Sequence, residues 1–136
     1  MIDSPRHQGN RMSRPTAAIL TLMTLLLLPS GPGEAADIAA GQAQFNRCKI
    51  CHSLEAGKNV VGPSLHGVFG RKAGTADNFT YSAAMTDSGI VWNDDTLTKY
   101  LRDPKQMVPG GKMAFPGIKD DQQITDLLAY LRQATQ

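Results

Sequence analysis

Cys48-Lys49-Ile50-Cys51-His52 is the stretch that most constrains what this chain can fold into. Its pattern, Cys-x-x-Cys-His, is the spacing at which a polypeptide holds a c-type haem. Two thiols three positions apart reach the two vinyl groups along one porphyrin edge and form thioethers. The histidine that follows is then placed under the iron, where its imidazole becomes the proximal ligand. A residue further on must fill the opposite iron face or leave it open.

Two other chemistries use the same residues. A Cys-x-x-Cys pair serves thioredoxin-like redox exchange in a βαβ setting, but no strand-rich pattern occurs here. A four-coordinate structural zinc needs two more Cys or His ligands. The chain has only these two cysteines, and past His52 its only histidine is His66. The haem reading is the stronger one, and both alternatives remain open at this point.

The first 36 residues are expected to be a cleaved secretory signal peptide, with residues 37–136 forming one small domain. Arg6, Arg11 and Arg14 make a positive start, and Ala17 to Leu28 is a Leu-rich apolar run. Pro29-Ser30-Gly31-Pro32-Gly33 breaks that run, and the small residues Ala35 and Ala36 follow. Cleavage after Ala35 leaves Gly33 and Ala35 at the positions that favour small residues, whereas cleavage after Ala36 puts Glu34 at one of them. Met12 is an alternative start, since Arg14 keeps the beginning positive. A retained anchor is disfavoured, because the apolar run is shorter than the ~20 residues of a spanning helix. Export to the periplasm agrees with the haem motif: bacteria attach haem covalently outside the inner membrane, where free thiols tend to oxidise. A domain of about 100 residues has little core of its own. A buried haem would supply much of the missing apolar volume, so the haem-free polypeptide is expected to be poorly folded.

The remainder reads as all-α, with helices joined by Gly/Pro loops. Asp37 is placed to cap a helix from Ile38 to Arg47. Val60 to Gly74 holds Gly62-Pro63, Gly67, Gly70 and Gly74, which is loop chemistry. Tyr81 to Met85 suits a short helical turn. Asn93 or Asp94 can cap a helix through Leu97 and Tyr100-Leu101 that stops before Pro104. Asp120 or Asp121 caps a last helix, where Ile124, Leu127, Leu128 and Leu131 form one apolar stripe at i, i+3, i+4 and i+7.

Candidates for the second iron ligand are His66, Met85, Met107 and Met113, with lysines as weaker choices. Met113 sits in Pro109-Gly110-Gly111-Lys112-Met113-Ala114-Phe115-Pro116-Gly117, too rich in turn residues to be a helix stripe. Methionine is usually a core filler. Beside a haem motif, however, a loop thioether 61 residues after His52 makes a His/Met pair, a recognised c-type ligation. His66 reads as a loop hydrogen-bonder, and Met85 and Met107 as packing.

Several ordered segments together resemble the class I cytochromes c, in their soluble bacterial, mitochondrial-like branch. They are Gly41-Gln42-Ala43-Gln44-Phe45-Asn46-Arg47-Cys48, Gly62-Pro63-Ser64-Leu65-His66-Gly67-Val68-Phe69-Gly70-Arg71, Phe79-Thr80-Tyr81, Gly89-Ile90-Val91-Trp92, Pro109-Gly110-Gly111-Lys112-Met113 and Asp126-Leu127-Leu128-Ala129-Tyr130-Leu131. The resemblance implies the small cytochrome c fold wrapped around one covalent haem c. It implies that Cys48 and Cys51 hold the haem and that His52 and Met113 ligate its iron. The Pro63 carbonyl would accept from the other His52 nitrogen, and Tyr100 would lie near the Met113 sulfur. Arg71, Tyr81 and Trp92 would surround a buried propionate, since a carboxylate out of water needs donors or a positive partner. Gly41 and Phe45 would pack on Leu127 and Tyr130, where the first and last helices cross. Two positions depart from the family: Gly111 stands for a threonine that helps hold a propionate, and Met85 for an asparagine of a buried-water network. Both remove a polar group beside the haem.

Function follows from ligation. Two strong protein ligands leave no open iron position, which suits one-electron transfer rather than bond-making. The expected protein is therefore not an enzyme. It is a soluble periplasmic carrier between membrane complexes, with a bc-type donor and an oxidase or photosynthetic reaction centre as acceptor. Alternatives are a haem peroxidase or gas-binding sensor with a labile sixth ligand, or a dedicated electron-entry subunit of a dehydrogenase or oxidase. From Asp37 onward 11 Lys/Arg face 10 Asp/Glu, so net charge selects no partner. By the resemblance, Lys49, Lys105, Lys112 and Lys119 ring the haem edge and would steer an acidic partner. No basic stripe with interleaved aromatics suggests nucleic acid, and a monomer is expected.

Overall fold

The computed structural model describes residues 35–136. The expected signal peptide, apart from Ala35 and Ala36, and the choice between Met1 and Met12 lie outside the described residues. These described residues hold five helices in order: α1 Ile38–Phe45, α2 Ala83–Thr86, α3 Asp94–Arg102, α4 Pro104–Met107 and α5 Asp121–Ala134. Among the described residues, extended pairing is limited to one antiparallel bridge between Lys72 and Val91, and no helix is long and apolar enough to cross a membrane.

Each helix begins where a side-chain oxygen can satisfy backbone N–H groups that lack a helical partner. Asp37 accepts from Ala39 N and Ala40 N, and Asp120 from Gln123 N. Asn93 accepts from Thr96 N while the Thr96 hydroxyl accepts from Asn93 N, a reciprocal box. α1 ends at Phe45, two residues short of the expected Arg47, because Asn46 N and Arg47 N donate three residues back, to Ala43 O and Gln44 O, in place of the α-helical four. α4 has no counterpart in the sequence reading. Pro104 does stop α3, but it also occupies the first turn of α4, where a missing N–H costs nothing. Asp103 ends α3 and accepts from Gln106 N to begin α4.

α1 and α5 make the principal helix crossing. A Cβ on Gly41 would lie 2.0 Å from the Asp126 carbonyl oxygen and 2.8 Å from Tyr130 Cβ, so the two backbones approach to a distance that only glycine allows. Phe45 and Tyr130 pack with ring centroids 5.6 Å apart, and Leu127 and Ile124 beside them are fully buried. The buried Asp126 carboxylate accepts from Asp37 N at 2.8 Å and from Gln122 Nε2 at 2.9 Å, tying the start of α1 to α5. α3 lies against α5 through Leu97, Leu101 and the Arg132–Asp94 and Arg102–Asp121 pairs. Such exposed pairs contribute ~0–1 kcal/mol each, so the apolar contact carries the packing.

Candidate haem site

α1 leads straight into the cysteine motif. Cys48 N and Lys49 N both donate to Phe45 O, then Cys51 N and His52 N donate to Cys48 O. This helical turn sets Cys48 and Cys51 three residues apart on one face, with His52 beside them. Both cysteines are free thiols and half-buried. Burial pushes the Cys48 thiol above its usual range; the Arg47 charge opposes this and the neighbouring Cys51 adds to it.

His52 is held by the Gly62-Pro63 turn. Gly62 N donates to Cys51 O at 2.7 Å, which brings the turn against the motif. A Cβ on Gly62 would be 2.4 Å from His52 Cε1 and 2.8 Å from Nδ1, so the imidazole lies directly on the glycine backbone. His52 Nδ1 stands 2.8 Å from Pro63 O. A carbonyl can only accept, so Nδ1 carries the proton and the neutral ring keeps its Nε2 lone pair. Burial holds the His52 pKa below its ordinary value. The Pro63 bond pulls the other way, and the Arg71 charge adds to the lowering.

The loop from Glu55 to Arg71 is braced around Ser64, a buried polar residue. The Ser64 hydroxyl donates to Glu55 O at 2.6 Å, and Ser64 N donates to Asn59 Oδ1 at 2.9 Å. Arg71 Nη2 donates to Ser64 O and Nη1 to His66 O, both at 2.9 Å. Arg71 thus clamps the Pro63 strap and also lies near enough to Tyr81 and His52 to lower the pKa of each. His66 itself is exposed.

Trp92 and Tyr100 are buried and pack with centroids 5.0 Å apart at 52°. Burial pushes the Tyr100 phenol up to about 12, with the Tyr81 phenol adding to the shift. Burial also raises Tyr81, against the Ala76 backbone and Arg71. Trp92 and Tyr100 are thus in contact, and Arg71 and Tyr81 lie near enough to influence this neighbourhood by charge.

Met113 lies half-buried against the core, in the irregular segment from Gly111 to Asp120. Its ends are fixed. Gly111 N bonds to Val108 O, and Ile118 N bonds to Leu101 O at 2.9 Å. Gly117 has φ +91° and a Cβ there would meet Arg102 O at 2.2 Å, so glycine is required on both counts. Met85 is a core residue and Met107 packs against the core. Lys49, Lys105, Lys112 and Lys119 are exposed, and Lys119 Nζ donates to Arg102 O at the end of α3.

The family model for cytochrome c matches residues 38–135. The chain belongs to the cytochrome c family. It is 48% identical over 103 residues to cytochrome c2 of Blastochloris viridis, covering 75% of this chain and 81% of that protein. It is 48% identical over 96 residues to cytochrome c-550 of Bradyrhizobium diazoefficiens, covering 70% of this chain and 71% of that one. Among solved structures, cytochrome cH from Methylobacterium extorquens superposes with a TM-score of 0.68 at 47% identity, covering 72% of this chain and 99% of that chain. The chain has the cytochrome c fold, its cofactor is covalent haem c with iron, and it is an electron-transfer protein rather than an enzyme.

The residues present fit that group. The motif turn offers two free thiols on one face, and the His52 tautomer leaves Nε2 available to a metal. Among the described residues, no three His, Cys, Asp or Glu side chains converge as an all-protein metal site, which leaves the zinc alternative without ligands. The described residues likewise hold helices and no strands, which removes the βαβ setting of a thioredoxin-like pair there. Gly62, Asn59 and Ser64 support the site, although the sequence reading gave them no role. The Gly-Pro dipeptide signals a turn at Gly62; no local pattern marks Asn59 or Ser64.

Proposed function

We propose that this cytochrome is a soluble periplasmic one-electron carrier, exported by a signal peptide in residues 1–36. Cys48 and Cys51 would hold the haem through thioethers, and His52 Nε2 and the Met113 sulfur would ligate its iron. One observation supports this most directly: the 2.8 Å contact from His52 Nδ1 to Pro63 O, which selects the tautomer a metal-binding imidazole needs and increases its basicity. The haem iron supplies a one-electron couple, and a thioether with a buried setting favours its reduced form. Arg71, Tyr81 and Trp92 would surround a propionate, and Tyr100 would lie near the Met113 sulfur. Trp92 and Tyr100 are themselves buried and packed on each other.

The carrier accepts from a bc-type complex and delivers to an oxidase or reaction centre, docking through Lys49, Lys105 and Lys112. Lys119 belongs to the same set, although its bond to Arg102 O commits it partly to the fold. The test is the visible spectrum of the purified holoprotein, oxidised and reduced. A low-spin ferric spectrum with the weak long-wavelength sulfur-to-iron band, lost in Met113→Ala, is the expected result. A high-spin ferric spectrum in the parent would move the protein to ligand-binding chemistry. The reaction rate with a membrane oxidase should fall as ionic strength rises.

A further inference from the structure

We infer that Asn59 is a positioning residue that tunes the iron through a hydrogen-bonded relay across one peptide unit. The Pro63–Ser64 peptide has its carbonyl oxygen on His52 Nδ1 at 2.8 Å and its N–H on Asn59 Oδ1 at 2.9 Å. The other end of the same carboxamide, Nδ2, donates to Asp77 O at 2.9 Å and Asn78 O at 3.1 Å. These partners fix which atom of Asn59 is oxygen and which is nitrogen: two carbonyls require the NH2, and an N–H requires the oxygen. The chain of bonds therefore runs from the Asp77 and Asn78 carbonyls through Asn59 and the 63–64 peptide to the imidazole, with every donor and acceptor in the same sense.

Bonds in such a series polarise one another. The two carbonyls draw on the Asn59 NH2 and make Oδ1 a stronger acceptor. Oδ1 then draws on the Ser64 N–H, which puts more negative charge on Pro63 O. That oxygen pulls harder on the Nδ1 proton and makes Nε2 more basic. A more basic ligand stabilises the more highly charged ferric iron, so the relay holds the reduction potential down. Ser64 and Arg71 keep the peptide plane in place, since the Ser64 hydroxyl bonds Glu55 O and Arg71 bonds Ser64 O. Asn59 reaches 18 and 19 residues along the chain to make its two donor bonds, so the same side chain joins the strap over His52 to the segment that leads to Tyr81.

The inference rests on His52 being an iron ligand. Three variants of the holoprotein test it: Asn59→Ala, Asn59→Asp, and Val60→Asp as a control for charge alone, Val60 being 53% exposed. Each is poised at the parent's midpoint, where oxidised and reduced forms are equal. Asn59→Ala should be reduced in about threefold excess, less than the 10–100-fold effects of groups that touch a metal's ligands directly. Asn59→Asp gives up the two donor bonds to Asp77 O and Asn78 O but presents a charged and therefore stronger acceptor to Ser64 N–H; it should be oxidised in excess, and more so than Val60→Asp at 1 M salt, where the Debye length is about 3 Å. A bracing role alone would lower the melting temperature of both Asn59 variants without opposite displacements. Asn59→Ala at parity or oxidised overturns the relay, as does Asn59→Asp matching Val60→Asp. If Asn59→Ala fails to fold, the aspartate comparison decides. Paramagnetically shifted His52 ring resonances in the ferric parent establish the ligand independently. Their absence refutes His52 ligation; their presence with an undisplaced Asn59→Ala refutes only the relay.

Discussion

Replacing Gly41 by alanine measures how closely α1 and α5 must approach. On an exposed helix the change would stabilise, by ~1 kcal/mol, because alanine loses less backbone entropy. Here the new methyl would lie 2.0 Å from Asp126 O, 2.6 Å from Asp126 C and 2.8 Å from Tyr130 Cβ. Carbon–oxygen contacts need about 3.3 Å, so the helices must part by about 1.3 Å at the crossing. The obstructing carbonyl belongs to the interior of α5 and has no rotamer to change. Parting the helices opens the Phe45–Tyr130 contact and the packing on Leu127. A radial gap of about 0.5–1 Å already forfeits a quarter to a half of each dispersion contact. Overpacking of this kind costs ~1–3 kcal/mol, and rigid obstacles place Gly41→Ala at the upper end. Allowing for the propensity gain, a net loss of roughly 2 kcal/mol remains, or about 8–16 °C in melting temperature for a domain of this size. Thermal unfolding of the holoprotein followed at 222 nm measures it, with Ala43→Gly on the exposed face of α1 as the propensity control. A Gly41→Ala protein that melts at or above the parent would refute the close-crossing argument, because the propensity term alone would then decide.

Three further outcomes follow from other contacts. Gly62→Ala should lose the low-spin ferric spectrum, because the methyl 2.4 Å from His52 Cε1 forces the ring off Pro63 O; an unchanged spectrum would contradict that placement. Tyr100 keeps its proton up to about 12 in the fold and to ~10 when unfolded, so its contribution is complete below pH 10 and is lost as pH rises from there towards 12. Urea midpoints at pH 9 and pH 11 should therefore fall by less in Tyr100→Phe than in the parent, and equal falls would exclude Tyr100 as a source. Asn93→Ala removes the side-chain bond from Thr96 N, leaves the Asn93 N–H bond to the Thr96 hydroxyl, and should cost about 1 kcal/mol in urea unfolding; a loss below a few tenths would show that tertiary packing holds the start of α3 without that cap.

What the sequence determined by itself is what is decided within a turn or two of chain. Asp37, Asn93 and Asp120 cap because their oxygens reach N–H groups two or three residues ahead, and the stripe on α5 buries because its spacing matches the helical period. The Cys48–His52 spacing favours a haem over a zinc or dithiol role on local chemistry alone. In the sequence Pro104 signals only the end of α3, yet it also begins α4, because the same locked φ serves both. Tertiary structure decided the rest, because it depends on which distant surfaces meet. Nothing near Gly41 in the chain shows that Asp126 O lies where its side chain would be. Nothing near Asn59 shows that its carboxamide will join the Ser64 amide to the Asp77 and Asn78 carbonyls. The family resemblance implies a propionate for Arg71; only the folded loop shows its guanidinium bound to the Ser64 and His66 carbonyls, bracing the strap that aims His52. Covalent spacing chose the cofactor, whereas long-range approach of backbone to backbone set the orientation of the imidazole.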